Sequence, residues 1–351
     1  MTRRPHPAAG RPGAGTGTPT RTCTQARPRA HARATQRGAA LLLAMLILTL
    51  VATLASGMLW QQWRGIEIES AERTRAQGSW LLNGALDWAR LILREDARNG
   101  GSDHLGEPWA LPLAESRLST FLAADKNNTV DDEGPEAFLS GRIFDAQSRL
   151  NLQNLIGEEE AEALKDLQAL QRLCQATGQT ADTADRIARG LREASAALDE
   201  VDASQPADKA AANAMLMPRR VEQLVWLGID PLAVQALRPY IDLLPVRTTV
   251  NVNTAPPEVL MAAIAGLDRG SAERVVQMRA RKPFETLEDL KAALPPALSP
   301  DAKYVGVNSS FFEVQGQLRF EQHLLRERSL VQRKGLDMVV LRRDRVGPLD
   351  P

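Results

Sequence analysis

Residues 37–64 read RGAALLLAMLILTLVATLASGMLWQQWR, and how that stretch is taken decides the fold of the rest. Between Arg37 and Arg64 lie 26 residues without one charged side chain. As an α-helix rising about 1.5 Å per residue, they are long enough to cross a hydrocarbon core of roughly 30 Å. The apolar core of a secretory signal spans about 7–15 residues, well short of this run. A helix in a soluble core seldom runs so far without a charge. The stretch is therefore predicted to be a membrane helix, with Trp60 and Trp63 where an interfacial aromatic belt would lie. Arg37-Gly38-Ala39 adds a second feature, a basic residue and a glycine directly before the apolar helix. A backbone without Cβ can be drawn close to the catalytic groups of a protease at the membrane surface. A plain anchor and the helix of a processed, assembling subunit both remain open at this point.

Charge is balanced overall but not along the chain. The first 38 residues hold eight Arg and neither Lys nor acid, leaving 35 basic against 43 acidic residues in the remainder. Basic residues before the helix and an acidic body after it put the N-terminus in the cytoplasm and the body across the membrane. A mildly acidic body lacks the basic face of a nucleic-acid binder. Residues 1–35 are rich in Arg, Pro, Ala, Thr and Gly and cannot pack a core. They read either as a disordered cytoplasmic leader or as sequence upstream of the true start. If cleavage follows Gly38, Cys23 is lost and Cys174 has no partner, so neither a disulfide framework nor a Cys metal site is expected. Cys174 reads as a small core residue. His6, His31, His104 and His323 are scattered singly, and no nucleophile–base pair or phosphate loop is present. No catalytic residue is expected, and the chain does not read as an enzyme.

After Gly38 no Pro occurs until Pro108, and apolar periodicity continues through Trp80, Leu81, Trp88, Leu91 and Ile92 to Gly100-Gly101. One helix of about 60 residues, roughly 90 Å long, is predicted, with bends at Gly65, Gly78 and Gly84. Thr49, Thr53 and Gly57 recur every four residues, a spacing that lets helices approach closely in lipid or in a filament core. Residues 107–122 read as a short helix and 125–134 as a solvated acidic loop, whose Gly and Glu do not fall where a calcium-binding loop needs them. Residues 138–155 read as a hairpin turning at Asp145–Ser148. Helical runs follow at 158–177, 183–198, 219–227, 231–237, 257–264, 271–280 and 287–294, with Thr254 expected to cap the helix that Pro257 opens. Residues 308–342 alternate like two or three antiparallel strands.

Three stretches carry a family resemblance: residues 141–155, GRIFDAQSRLNLQNL; residues 219–224, RRVEQL, with Leu237–Ile241, LRPYI; and residues 250–256, VNVNTAP. They closely resemble the K-type minor pseudopilins of bacterial type II secretion systems. With Gly38 and Leu43 included, the resemblance runs from the membrane helix to the C-terminus. It implies removal of the leader after Gly38 by a prepilin peptidase, and methylation of Ala39 as the new N-terminus. Leu43 is then the fifth mature residue, where most pilin-like subunits carry a Glu that pairs with a neighbour's terminal amine. An unpaired carboxylate in an apolar bundle is expensive, and a subunit with Leu cannot make that pairing, which suits the filament tip. The resemblance further implies minor pseudopilins of the I and J types as partners, together with other pseudopilins and the inner-membrane secretion platform. The function implied is to initiate or cap the pseudopilus that drives export across the outer membrane. The location implied is the inner membrane, crossed once, with a cytoplasmic N-terminus and a periplasmic body.

Residues 254–290 support a rival, a membrane-anchored helix-hairpin-helix protein that captures DNA, as in uptake and competence. Such domains grip a phosphate with backbone N–H groups in a Gly-x-Gly turn. Here the turn is Ala265–Gly270, Asp268 replaces the second glycine, and Glu258, Glu273, Glu285, Glu288 and Asp289 surround it. No nucleic acid is expected. Many K-type pseudopilins also hold calcium in the helical domain, but residues 190–204 do not keep the ligand pattern. Asp199, Glu200 and Asp202 could offer oxygens, yet no metal ligand is assigned and no cofactor is expected.

The architecture expected is α+β: a pilin-like long N-terminal helix on a small antiparallel sheet, with a large inserted all-α domain of SAM-like, helix-hairpin-helix-like kind. The boundaries expected are a cleaved leader at 1–38 and a membrane and filament-core helix at 39–63. The second half of the helix and first part of the sheet occupy 64–155, the helical insert 156–300, and the closing strands 301–351.

Overall fold

A computed structural model of the chain describes residues 37–118, 137–157, 159–203, 216–320 and 323–347. The chain divides into two compact units, Met1–Glu69 and Ser70–Pro351. In the first, the described residues form the opening half of α1, which spans Arg37–Asn99. Every side chain described from Gly38 to Glu69 is exposed in the isolated chain. From Gly38 to Trp63 the helix has no inward face because the sequence offers none: it is uncharged and mostly apolar all round.

In the second unit α1 becomes amphipathic. Leu82, Leu86, Ala89 and Leu93 are buried, at the four-three-four spacing of one helical face. Trp80 and Leu91, which the apolar pattern placed on that face, point outward instead. The helix stops at Gly100-Gly101, both with positive φ (69° and 109°), a backbone that residues with a Cβ rarely adopt. α1 packs on a five-stranded antiparallel sheet. Its strands are β1 (Leu113–Arg117), β2 (Ala137–Asp145), β7 (Phe311–Phe320), β8 (His323–Lys334) and β9 (Asp337–Arg345), adjacent in that order. Phe312, Val314, Ile143 and Val331 meet Leu86, Ala89 and Leu93 of α1, and Trp109 sets its ring edge-on to Phe312 at 5.3 Å. Helix and sheet approach closely at Gly78: a Cβ there would overlap the Leu325 side chain.

Asp145 and Phe312 are cross-strand neighbours, and nearly everything between them is a separate helical body. Its elements are β3 (Leu150–Asn151), α2 (Glu160–Ala176), α3 (Ala181–Ala203), a 3-10 helix (Val221–Leu227), α4 (Pro231–Leu237), β4 (Ile241–Asp242), β5 (Val250–Asn251), α5 (Pro257–Ala263), α6 (Arg269–Arg281), α7 (Leu287–Ala293) and β6 (Val305–Gly306). One apolar core unites them. It includes Leu170, Leu173 and the free Cys174 of α2, Ile187 and Leu191 of α3, Leu224, Leu237, Val259, Val275 and Leu290.

Three local expectations are corrected. Residues 107–117 do not form the expected helix: Pro108–Ala110 is a single 3-10 turn, and Leu113–Arg117 adds an edge strand to β2, while residues 119–122 lie outside the described residues. Residues 138–155 are not a hairpin, because Leu150 and Asn151 pair in parallel with Ile241 and Asp242 of the helical body rather than folding back on β2. Thr254 does not cap α5; Pro256 occupies that position, and the Thr254 hydroxyl turns to Asp145 instead. The acidic loop at 125–134 lies outside the described residues.

Candidate functional site

The residues expected to act in processing and assembly all lie in the first unit. Gly38, Ala39 and Leu43 occupy the first two turns of α1, are exposed, and a Cβ built at Gly38 would meet nothing within 4 Å. Leu43 is 62 % exposed. Thr49, Thr53 and Gly57 fall on one face farther along, because residues four apart are neighbours on a helix. The Thr49 hydroxyl donates to the Leu46 carbonyl at 2.9 Å and Thr53 to the Leu50 carbonyl at 2.8 Å. Both hydroxyl protons are thus satisfied inside the helix, which lowers the cost of dehydrating this shallow face. Among the described residues, this is the one helix long and apolar enough to cross a membrane.

The second unit contains a polar centre that the sequence pattern gave only in part. Asp145, at the end of β2, is buried, and its carboxylate receives four donors. Oδ1 accepts from the Gln147 N–H (2.8 Å); Oδ2 accepts from Asn251 Nδ2 (2.9 Å), Thr254 Oγ1 (2.6 Å) and Ser309 Oγ (2.6 Å). Burial pushes its pKa up, and the Ser309, Thr254, Gln147 and Asn251 donors pull it back. Asn251 also donates to the Asp103 carbonyl at 3.0 Å, and the Asp103 carboxylate accepts from the Ser309 N–H at 2.6 Å. Arg333 of β8 completes the cluster, reaching Asp103 Oδ1 at 2.6 Å and Asp96 at 2.9 Å. Beside it Arg149 lies 3.2 Å from both Asp242 and Glu313. Burial raises Glu313, but Arg149 and Arg328 outweigh it and hold that carboxyl below its ordinary range.

These contacts explain why the GRIFDAQSRLNLQNL and VNVNTAP stretches have their composition. Asp145, Gln147, Arg149, Asn151 and Asn154 of one and Asn251 and Thr254 of the other are stitches. Asn151 Nδ2 donates to the Val246 carbonyl at 2.7 Å, and Asn154 Nδ2 to the Thr248 carbonyl at 2.9 Å. Asp103, Ser309 and Arg333 were missed, because a single polar residue in a turn or a strand gives no pattern of its own. The arrangement binds parts of one chain together; no nucleophile or proton shuttle emerges from it.

Asp96, Asp103 and Glu107 form the grouping of carboxylates, among the described residues, whose oxygens could reach a common cation, all within 4.8 Å. Arg333 already pairs with two of them. Burial first, then the negative charge of Glu107 and Asp103, pushes Asp96 up to about 7. The side chains of Asp199, Glu200 and Asp202 lie outside the described residues. In the α5–α6 turn, Asp268 caps α6, accepting from the Ser271 N–H (3.0 Å) and hydroxyl (2.9 Å), and Arg269 turns to Glu273 at 2.9 Å. The backbone donors that a phosphate would need at that helix start face a carboxylate of the chain itself.

Comparison with known proteins agrees with this picture. A sequence model of the family described as "Type II secretion system (T2SS), protein K" matches residues 250–308, and one for the family's first region matches 148–246. Type II secretion system protein K of Pseudomonas aeruginosa is 28% identical over 276 residues, 72% of this chain and 75% of the relative. The protein of the same name from Pectobacterium carotovorum subsp. carotovorum is 28% identical over 331 residues, 88% of this chain and 95% of the relative. Over residues 148–308 the chain is similar to the type II secretion system protein K family. A chain of the GspK-GspI-GspJ complex of enterotoxigenic Escherichia coli has the same fold, with a TM-score of 0.60 and 22% identity, over 79% of this chain and 98% of that one. These matches support a minor pseudopilin role in type II secretion, and the apolar first half of α1 fits a membrane-anchored protein. The two family matches begin at Ser148 and Val250, so both stitched motifs fall within or against them.

Proposed function

We propose that this chain is the tip subunit of a pseudopilus, initiating and capping the filament rather than extending it. One observation carries the reading: the 146–310 body emerges between two adjacent strands, β2 and β7, and is fastened through Asn251 and Ser309 to Asp103, just past the C-terminal end of α1. A body held there obstructs any subunit that would stack beyond it. Leu43 supports the same reading from the other end of the helix, since it offers no carboxylate to a neighbour's terminal amine. On this reading a prepilin peptidase removes residues 1–38 and Ala39 is methylated. Thr49, Thr53 and Gly57 pack against neighbouring helices, and the body lies in the periplasm. Minor pseudopilins of the I and J types are the partners, by analogy with the Escherichia coli complex that joins GspK to GspI and GspJ.

The test is co-purification from membranes after in vivo cross-linking, with wild type and Leu43→Glu compared. Wild type should be recovered with the I and J subunits in about one copy per filament, and Leu43→Glu should appear along the filament body. Recovery of wild type at many copies per filament would overturn the tip assignment.

A further inference from the structure

The helical body and the sheet do not share a core. The apolar cluster of the body is drawn wholly from residues 152–305, and the two clusters of the sheet side come from α1, Trp109 and the strands. The apolar contact between them is a small pad of Ala146, Leu244, Phe311 and Leu330. Among the described residues the other contacts that join the two are mainly polar; Arg149 links Asp242 of the body to Glu313 of β7, and two further groups differ in character.

The first group is the buried centre at Asp145, Asn251, Thr254 and Ser309, each no more than 8 % exposed. It lies where the chain crosses from sheet to body at 145–150 and back at 305–311. The second group lies on β8 and β9, one and two strands beyond β7, so roughly 5 and 10 Å farther across the sheet. There Arg220 meets Asp344 at 2.5 Å, Glu222 lies 3.7 Å from Arg328, and Arg342 donates to the Arg219 carbonyl. These groups are wetter: the side chains of Arg220 and Glu222 are 47 % and 42 % exposed.

We propose that residues 219–222 form a clasp that holds the helical body against β8 and β9, and that the body swings about the Asp145 centre when the clasp opens. The physical basis is the difference between the two groups. Ion pairs with one half-exposed partner (Arg220 at 47 % against Asp344 at 11 %, Glu222 at 42 % against Arg328 at 21 %) are worth less and are more screened by salt than a buried carboxylate with four donors, which is costly to break. Interfaces of this polar kind within one chain permit relative motion unless a large apolar surface opposes it. A pad of four residues is a small opponent. The clasp involves Arg, Asp and Glu with no histidine, so its release answers to ionic strength and to charge rather than to pH near neutrality. The inference stands whether or not the protein occupies the filament tip.

The experiment uses the full chain in detergent micelles, with Cys23→Ser and Cys174→Ala and nitroxide labels at Gln235→Cys on α4 and Asp337→Cys on β9. Distances are read by double electron–electron resonance. At low salt a single narrow distance is expected. At 1 M NaCl, where the screening length falls to about 3 Å, a second, longer population is expected. Arg220→Asp should give that population at low salt, and the swap Arg220→Asp with Asp344→Arg should abolish it. One narrow distance in every sample, with circular dichroism unchanged, would overturn the proposal. If Arg220→Asp fails to fold, the salt series on the otherwise unaltered chain decides alone: no longer population at 1 M NaCl refutes the clasp.

Discussion

The two halves of α1 are continuous in backbone and opposite in logic. From Gly38 to Glu69 no face is buried, and the Thr hydroxyls bond back to their own helix. From Ser70 to Asn99 a narrow stripe of Leu82, Leu86, Ala89 and Leu93 is buried against a sheet the same chain supplies. The first half needs a solvent or partners from outside, a bilayer or other subunits. The second half carries its partner with it. A subunit that must leave a membrane and enter a filament requires both kinds of surface, and the change between them comes where the charges begin, at Arg64 and Glu67.

The comparison breaks hardest on Leu93, fully buried in the second half. Leu93→Ala should cost about 2–5 kcal/mol in denaturant unfolding of the full chain in micelles. The matching truncation Leu46→Ala in the first half should leave that midpoint within about 0.5 kcal/mol. Asp145→Ala comes next. It leaves the Asn251, Thr254 and Ser309 donors facing an apolar gap, and about 2–4 kcal/mol should be lost, with Asp145→Asn intermediate. The smallest effect concerns pH. Asp96 sits at about 7 in the folded chain, raised from its ordinary value of 3.8. A raised carboxyl pKa means that the native state holds a proton the unfolded chain has released. The stability it adds is full below about pH 4 and is lost as pH rises through about 7. Melting temperature should therefore fall between pH 5 and 8, and Asp96→Asn should flatten that slope. A slope unchanged in the variant would show that other carboxyls set it.

The elements that could be read from the sequence are those whose signals are local. The 231–237 helix is found at its predicted bounds, because Asp230 caps it and Pro231 opens it. The long helix was legible because no proline interrupts it and two glycines end it. β1 was not, since Leu-Ala-Glu-Ser-Arg has helical propensity and becomes a strand only by pairing with Phe138–Gly141. The supposed hairpin failed for the same reason: the partner of Leu150 is Ile241, about ninety residues away. The outward turn of Trp80 shows a further limit, since apolar periodicity alone does not say which of two apolar stripes meets the sheet. The polar centre was legible in part. Its Asp, Asn and Thr stood out within the two motifs, but Asp103, Ser309 and Arg333 come together with them only through the fold.

The most direct test of the filament-subunit reading is the intact mass of the protein purified from membranes with an active prepilin peptidase co-expressed. The result expected is a chain that begins at Ala39 and carries one methyl group on its terminal amine. A chain that keeps residues 1–38 in the presence of the active peptidase would contradict it, leaving a simple membrane anchor in place of a filament subunit.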